Sequence, residues 1–276
     1  LVQLAVRRGL EKLAPRAPAL LGGILQRGAD RLAAPITLGT EADRRMRAAV
    51  AVLDRRVQAL CDERRASPET RRDVLGRLLA ARDDEAGQMT DKQVRDEVIT
   101  LFVAGHETTA LTLAWSLYHL CRDPALYRAA RAEVDALSGP PTAADLPRLA
   151  LLSRVFKETM RCYPAIPILV REMTRETTLR GHVLPEGTTV VMSPYATHHR
   201  AELWPEPDRF DPDRFLPAAE DARPRYAYLP FSSGPRICLG NHLALMEGPL
   251  VLATVLQRVD LERTSAHAIE PFFQVA

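Results

Sequence analysis

The sequence predicts a mostly α, α+β fold with small β-sheets. Apolar residues recur at helical spacing through residues 1–88 and again from Val94 to Trp115. Short runs rich in β-branched residues, broken by Gly and Pro, lie between Ile166 and Met192. We therefore expect long helices and, among them in chain order, a small strand and hairpin system.

Composition and charge narrow the class of protein. The chain has 276 residues, 46% of them hydrophobic, which is enough for a large core, and its net charge of +2 gives no reason to expect a nucleic-acid partner. No apolar stretch approaches a membrane span, since the longest one near the start, residues 17–25, contains Pro and Gly. The preference for arginine over lysine is typical of a GC-rich bacterial genome, and we expect a cytoplasmic protein.

The first third of the chain carries no catalytic motif. Its spacing predicts helices over 41–65 and 68–82, followed by an acidic loop at 83–85. No repeat or low-complexity linker divides the sequence. We therefore expect one domain over residues 1–276.

A long helix follows this part. Residues 90–93 read TDKQ, which has the form of a capping box, and apolar residues continue from Val94 to Trp115. The pair Asp123-Pro124 ends the run and caps the next helix.

The middle of this helix contains residues that disfavour a helix. Residues 104–109 read AGHETT, and the hydroxyl of Thr108 can bond the carbonyl of Ala104 and open a kink. The alternative is that Thr108 and Thr109 are tolerated in an ordinary helix, with Glu107 on a solvated face.

A cysteine near the C-terminal end is the strongest candidate for a metal ligand. Residues 231–240 read FSSGPRICLG, so the thiol of Cys238 stands at the start of an apolar helical run. Free N–H groups at a helix N-terminus stabilise a thiolate, which can bind a metal. Gly234 and Gly240 leave room for a flat ligand against the backbone. Phe231 can pack against the sulfur, and Arg236 can pair with an anionic group. The alternative is that Cys238 is a small core residue.

Two charged residues lie in an apolar helix. Glu158 and Arg161 share one helix face at i and i+3, a pair that is usually exposed. The neighbours Leu151, Leu152, Val155 and Phe156 are apolar, so the charges can be buried and would then need partners.

The remaining cysteines and histidines show no ligand pattern. Cys61, Cys121 and Cys162 have no C-x-x-C spacing, which disfavours zinc and a disulfide framework. His198 and His199 are adjacent and cannot share a helix face, so we assign them no ligand role.

The segment around Cys238 resembles the cysteine-ligand loop of the cytochromes P450. Three further segments resemble motifs of that family in the same chain order: residues 104–109 its acid–alcohol pair, Glu158 and Arg161 its Glu-x-x-Arg helix, and residues 210–215 its Pro-x-Arg-Phe element. The resemblance implies a P450 fold with a long central helix over haem b and Cys238 bound to the iron.

The resemblance also implies roles for individual residues. Thr108 would hydrogen-bond dioxygen at the haem, and Glu107 would help to deliver protons. Glu158, Arg161 and Arg214 would form a structural triad behind the cysteine loop. The haem would be bound, besides by Cys238, by Phe231, Gly234, Arg236, Gly240, Ala104, Gly105 and Arg171.

Two of these assignments have alternatives. Arg171 would pair with one haem propionate and Arg236 with the other, but a solvated rim position competes for Arg171. The match to the family's sheet suggests that Ala165, Ile166 and Ile168 face the substrate pocket, whereas ordinary strand core competes for the isoleucines.

The implied reaction is monooxygenation of an apolar small molecule with O2. The chain carries no flavin, nicotinamide or iron–sulfur motif, so electrons would come from a separate ferredoxin or flavoprotein reductase. One alternative is a peroxide-using enzyme, which the intact Glu107 and Thr108 pair disfavours. The other is a non-catalytic or degenerate haem-binding fragment.

The resemblance covers only the C-terminal portion of the family fold. The family's chain is longer before residue 1, and Leu1 is not a methionine. The family's final hairpin would be interrupted at residues 274–276. We therefore expect a truncated P450 whose haem-binding core is residues 89–276, and a membrane anchor upstream stays open.

Overall fold

The computed structural model describes residues 41–66, 73–83, 87–263 and 269. The helices in chain order are α1 (Glu41–Ala66), α2 (Val74–Ala80), α3 (Asp91–Arg122), α4 (Pro124–Asp135), α5 (Ala150–Cys162), α6 (Pro194–His198), α7 (Pro217–Asp221) and α8 (Asn241–Arg258). Single 3-10 turns or short 3-10 helices lie at Ala143–Arg148, Pro212–Phe215 and Gly234–Arg236. The strands are β1 (Arg82–Asp83), β2 (Gly87–Gln88), β3 (Leu169–Glu172), β4 (Thr177–Leu179), β5 (His182–Leu184) and β6 (Thr189–Met192). This set of mostly helical elements with short strands confirms the predicted fold class.

The chain divides into two compact units, one ending at Ile99 and the other beginning at Thr100. The boundary falls within α3, a continuous helix. The single domain over 1–276, with its haem-binding core from residue 89, stays a prediction.

The N-terminal unit confirms one of its two predicted helices in full. α1 covers the predicted range 41–65, whereas the helix expected over 68–82 is α2 alone among the described residues, because 67–72 lie outside them. The side chain of Asp73 accepts a hydrogen bond from the N–H of Gly76 at 2.9 Å and starts α2. Extended backbone at Ala81, with φ −64° and ψ 132°, ends it.

The prediction of an acidic loop at 83–85 is wrong for residue 83. Arg82 and Asp83 form β1, which pairs antiparallel with Gln88 and Gly87 of β2. Residues 84–86 lie outside the described residues.

A small apolar core and an ion pair hold the N-terminal unit together. Val57, Cys61 and Val94 are buried in one cluster. Arg65 of α1 pairs with Asp91, the first residue of α3, at 2.6 Å. The start of α3 is therefore attached to α1 by both apolar packing and charge.

The predicted ends of α3 are confirmed. The N–H of Thr90 donates to Oε1 of Gln93 at 2.8 Å and the N–H of Gln93 donates to Oγ1 of Thr90 at 3.3 Å, which is the capping box. Asp123 accepts from the N–H groups of Ala125 and Leu126 and so caps α4.

α3 is also long and apolar enough, by length and composition alone, to cross a membrane. It has 32 residues and an 18-residue window of mean hydropathy 1.2, of which 6% is buried. The expectation that no stretch approaches a membrane span is therefore wrong for this helix.

The core of the C-terminal unit lies between α3, α4, α5 and α8. Its fully buried members include Leu120, Val134, Leu152, Phe156, Leu252 and Leu256. α8 meets α5 at Gly248, where an added Cβ would lie 2.5 Å from the ring carbons of Phe156. A glycine is therefore required for this approach of the two helices.

The predicted strand and hairpin system is confirmed as two small antiparallel pairs. β3 pairs with β6, with Val170 opposite Val191. β4 and β5 are joined by Arg180 and Gly181, which have φ of +49° and +82°. Positive φ at both positions is the type I′ geometry that suits a two-residue hairpin.

Candidate active site

Cys238 lies at the mouth of α8, as predicted. A 3-10 turn that begins at Gly234, with φ +74°, precedes it. The N–H of Cys238 donates to the carbonyl of Phe231 at 3.0 Å, and the N–H of Asn241 donates to the carbonyl of Cys238 at 3.4 Å. The residue is exposed, so the alternative of a core cysteine is wrong.

The surroundings of the sulfur leave room for a flat apolar group. A Cβ at Gly234 would meet nothing within 4 Å, and a Cβ at Gly240 would lie 3.9 Å from the sulfur of Cys238. Ile237 and Leu239 are 51% and 84% exposed. Exposed apolar residues beside a thiol are what a flat hydrophobic ligand would cover.

Two arginine side chains lie in or are bonded to the cysteine segment, residues 231–240. Arg171 of β3 is half-buried and donates to the hydroxyl of Ser232 at 3.3 Å and to the carbonyl of Val170 at 2.8 Å. Arg236 is exposed, with no hydrogen bond or ion pair to any residue that the structure describes. A ligand with carboxylates would suit both cations.

The hydroxyl of Thr108 bonds the carbonyl of Ala104 at 2.8 Å, as the sequence predicted. α3 continues through the motif without a break. A Cβ at Gly105 would meet nothing within 4 Å, and Phe102 is 63% exposed. This turn of the helix is therefore open to an apolar ligand.

The acid–alcohol pair is not bonded to the cysteine segment in the part of the chain that the structure describes. Glu107 is exposed, and within the described ranges no hydrogen bond or ion pair joins Glu107 or Thr108 to residues 231–240. Their roles stay predictions.

The structure does bring together the three charged residues of the triad. The side chains of Glu158 and Arg161 are both 0% exposed, and Nε and Nη2 of Arg161 donate to the carboxylate of Glu158 at 2.7 and 2.9 Å. Nε of Arg214 lies 3.5 Å from the same carboxylate. The possibility that the pair is buried, raised by the sequence, is confirmed.

Backbone groups complete the buried network. The N–H of Asp211 donates to Glu158 at 2.8 Å, and Arg161 donates to the carbonyls of His198 and Arg209 at 2.8 and 3.1 Å. Burial is the largest single effect and disfavours the charged guanidinium, but the hydrogen bonds to Glu158 and the charges of Cys162, Glu158 and Tyr228 together outweigh it and raise the pKa of Arg161. The guanidinium of Arg161 is therefore held in its charged form.

Sequence reasoning missed His198 and Ser232. His198 is fully buried and joins Arg161 to the segment before Cys238. The sequence offers no signal that separates His198 from His199, because the two are identical residues at adjacent positions.

The three predicted pocket residues lie just before β3. Ala165 is half-buried, and Ile166 and Ile168 are 47% and 42% exposed. Ordinary strand core is therefore wrong for the two isoleucines. With Val170, which is 52% exposed, they form an exposed apolar row at alternate positions.

Comparison with known proteins places this site in one family. The family model for cytochrome P450 matches residues 31–274. The chain is 38% identical over 258 residues to the cyclooctatin synthase of Streptomyces melanosporofaciens, covering 92% of this chain and 56% of that protein. It is 37% identical over 200 residues to human cytochrome P450 4V2, covering 71% of this chain and 38% of that protein.

A solved structure gives the same result. The haem domain of cytochrome P450DA superposes with a TM-score of 0.77 at 33% identity, over 83% of this chain and 52% of that one. The chain thus spans about half the length of the relatives that it matches. Sequence, curated relatives and fold agree that this chain belongs to the cytochrome P450 family.

Proposed function

We propose that this chain supplies the haem-binding part of a haem-thiolate monooxygenase. Haem b with its iron is the cofactor of the family, and when bound it supplies the activation of O2. One oxygen atom enters an apolar small molecule and the other leaves as water. The observation that carries the proposal is the exposed sulfur of Cys238 at the mouth of α8, with a cation of β3 bonded to the same segment.

The residues around the sulfur fit this cofactor. Cys238 would hold the iron, Arg171 and Arg236 would bind the two carboxylates, and the glycines at 234 and 240 leave the backbone side clear. Gly105 supports the fit on α3, since it presents backbone without a Cβ to an open space. Each of these exposed groups thus has a role in binding the haem.

The acid–alcohol pair would handle protons. The hydroxyl of Thr108 donates to Ala104 in this structure, so its oxygen keeps lone pairs that can accept a second bond. Rotation of that hydroxyl away from the carbonyl would let it donate a hydrogen bond to a ligand instead. Glu107 is exposed to water, which supports its proposed role as the proton source.

An apolar substrate accounts for the exposed apolar surface. Ile166, Ile168 and Val170 form one row before and within β3, and Phe102 and Leu111 of α3 are also exposed. We attribute the membrane-like composition of α3 to this use, because a helix that faces a haem and an apolar substrate also needs an apolar face.

The electrons would come from a separate ferredoxin or flavoprotein reductase. The sequence of this chain contains no flavin, nicotinamide or iron–sulfur motif. We further propose a cytoplasmic, bacterial protein, which its similarity to the Streptomyces enzyme supports.

Haem titration followed by turnover distinguishes the proposal from its alternatives. The chain is loaded with haem and then supplied with O2 and a surrogate reductase, or with hydrogen peroxide alone, and an apolar test substrate. We expect product with O2 and the reductase. Product with peroxide only would make it a peroxide-using enzyme, and bound haem without product in either arm would make it a non-catalytic haem-binding protein.

A further inference from the structure

His198 connects the buried ion pair to the segment that carries Cys238. It is the last residue of α6, and its side chain is fully buried. Its backbone carbonyl accepts a hydrogen bond from Nη1 of Arg161 at 2.8 Å. Its ring atom Nε2 accepts one from the N–H of Leu229 at 2.8 Å. His198 is therefore bonded both to the buried ion pair and to the segment that leads to Cys238.

The bond to Leu229 fixes the start of the cysteine segment. The carbonyl of Leu229 accepts from the N–H of Ser232 at 3.4 Å, which closes a turn. Within that turn the carbonyl of Phe231 accepts from the N–H of Cys238 at 3.0 Å. The backbone of Cys238 thus depends on a turn whose first N–H is held by His198.

The protonation of the ring is determined by its partner. A backbone N–H can only donate, so Nε2 must carry no proton and the ring proton must be on Nδ1. Burial is the main reason why the pKa of His198 falls to about 4; the backbone of Arg161 opposes this shift, and the charges of Arg161, His199 and Arg223 add to it. The ring therefore stays neutral near pH 7 and Nε2 stays an acceptor.

Stability alone does not explain a histidine at this position. Nδ1 is buried and has no hydrogen-bond partner among the residues that the structure describes. An unpaired buried polar group is destabilising, and an apolar side chain would avoid this cost. The ring is also fixed in place by Tyr228, with centroids 5.3 Å apart, and by Trp204 at 6.3 Å.

We propose that His198 is a positioning residue through which the buried Glu158 and Arg161 pair sets the place of the Cys238 segment. The proposal rests on the proposed role of Cys238 as the iron ligand. Arg161 holds the backbone of His198, and the ring of His198 holds Leu229. A segment freed at Leu229 would leave the sulfur less well placed to bind the iron.

Two substitutions separate this role from mere filling of space. His198→Gln keeps a side-chain acceptor that reaches Leu229, whereas His198→Leu keeps an apolar side chain of similar size without an acceptor. His199→Gln is the matched control, because His199 is the adjacent histidine and its ring bonds Tyr195 instead.

The first measurement needs no haem. In the 276-residue chain, the amide hydrogen of Leu229 should exchange at least tenfold faster in His198→Leu than in the unaltered chain, and close to the unaltered rate in His198→Gln and His199→Gln. Equal protection of Leu229 in His198→Leu and His198→Gln would overturn the proposal. Should His198→Leu not fold, the ring nitrogen chemical shifts of His198 in the unaltered chain decide, and a proton on Nε2 overturns it.

The second measurement uses the haem-loaded protein. We expect the ferrous carbon monoxide adduct of His198→Leu to contain a fraction without the red-shifted Soret band of a thiolate ligand, which His198→Gln restores. A fully red-shifted band in His198→Leu would contradict the coupling to Cys238. A red-shifted band that survives in Cys238→Ser would instead refute the ligand role of Cys238, while the exchange result at Leu229 would stand.

Discussion

Glu158 and Arg161 lie one helical turn apart on α5, and neither side chain is accessible to solvent. The carboxylate of Glu158 accepts two hydrogen bonds from Arg161 and a third from the N–H of Asp211. Arg214 lies 3.5 Å from it. Removing the carboxylate would therefore leave two cations without their anion, one of them fully buried.

We expect Glu158→Ala to lower the free energy of unfolding by about 3–5 kcal/mol, because breaking a buried pair leaves an uncompensated charge. Urea unfolding of the chain measures this. The control is Arg209→Ala, which removes an ion pair of the same i,i+3 spacing with Glu206, whose side chains are 61% and 71% exposed, and a longer one with Asp211 at 3.9 Å. Such pairs contribute about 0–1 kcal/mol, so equal effects of the two substitutions would contradict the prediction.

The ligand role of Cys238 has a spectroscopic test. With haem and carbon monoxide, the ferrous protein should show the strongly red-shifted Soret band of a thiolate ligand. Cys238→His should move the band to the position of an imidazole-bound haem. Cys121→Ser is the control, because Cys121 is a half-buried thiol far from residue 238 in sequence, and its spectrum should not change.

The hydroxyl of Thr108 is expected to decide where reduced oxygen goes. In Thr108→Ala, haem binding and substrate binding should change little, while oxygen consumption shifts from product to hydrogen peroxide. Thr108→Ser keeps the hydroxyl and should restore product, and Thr109→Ala is the neighbouring control. The ratio of product to oxygen consumed is the measurement, and an unchanged ratio in Thr108→Ala would make its hydroxyl dispensable.

Two helical glycines should respond to alanine with opposite signs. At Gly248 the new Cβ would lie 2.5 Å from the ring of Phe156, and overpacking of this kind costs about 1–3 kcal/mol. At Gly105 a Cβ would meet nothing within 4 Å, so alanine should stabilise the haem-free chain by about 0.5–1 kcal/mol. Urea unfolding of the two variants without haem compares them. Stabilisation in both would contradict the packing at Gly248, and destabilisation in both would contradict the open space at Gly105.

His119 should make the chain less stable in acid. Burial, followed by the charge of Arg122, lowers the pKa of His119 from 6.5 to about 4. The unfolded chain therefore binds a proton first as the pH falls. The stability due to neutral His119 is complete above pH 6.5 and is lost toward pH 4, by about 3 kcal/mol.

The matched comparison is His119→Gln. Its unfolding free energy should depend less on pH between 6.5 and 4 than that of the unaltered chain, although other groups affect both equally. Parallel pH profiles would show that His119 titrates alike in the folded and unfolded chain.

The sequence predicted what local chemistry determines. The capping box at Thr90 and Gln93 and the hydroxyl bond of Thr108 to Ala104 involve partners three or four residues apart. Their spacing is visible in the sequence. The apolar neighbours of Glu158 on its helix likewise gave reason to expect its burial.

Contacts between distant segments could not be predicted in the same way. The partner of His198 is the backbone N–H of Leu229, 31 residues away, and a backbone group leaves no mark in a sequence. β1 replaced the start of a predicted acidic loop because Asp83 pairs with Gly87, and pairing of so short a strand has no periodic signal.

The hydroxyl bonds on α3 continue beyond the AGHETT motif. Thr112 donates to the carbonyl of Thr108 at 3.0 Å and Ser116 to that of Thr112 at 2.9 Å, four residues apart each time, as Thr108 does to Ala104. Three successive carbonyls along one edge thus serve a side-chain donor in addition to the backbone, which weakens the helical bonds there. The backbone hydrogen bonds on this face of α3 are therefore weaker than those on its other faces. If α3 bends between residues 104 and 116, the positions of these hydroxyl groups determine the direction of the bend.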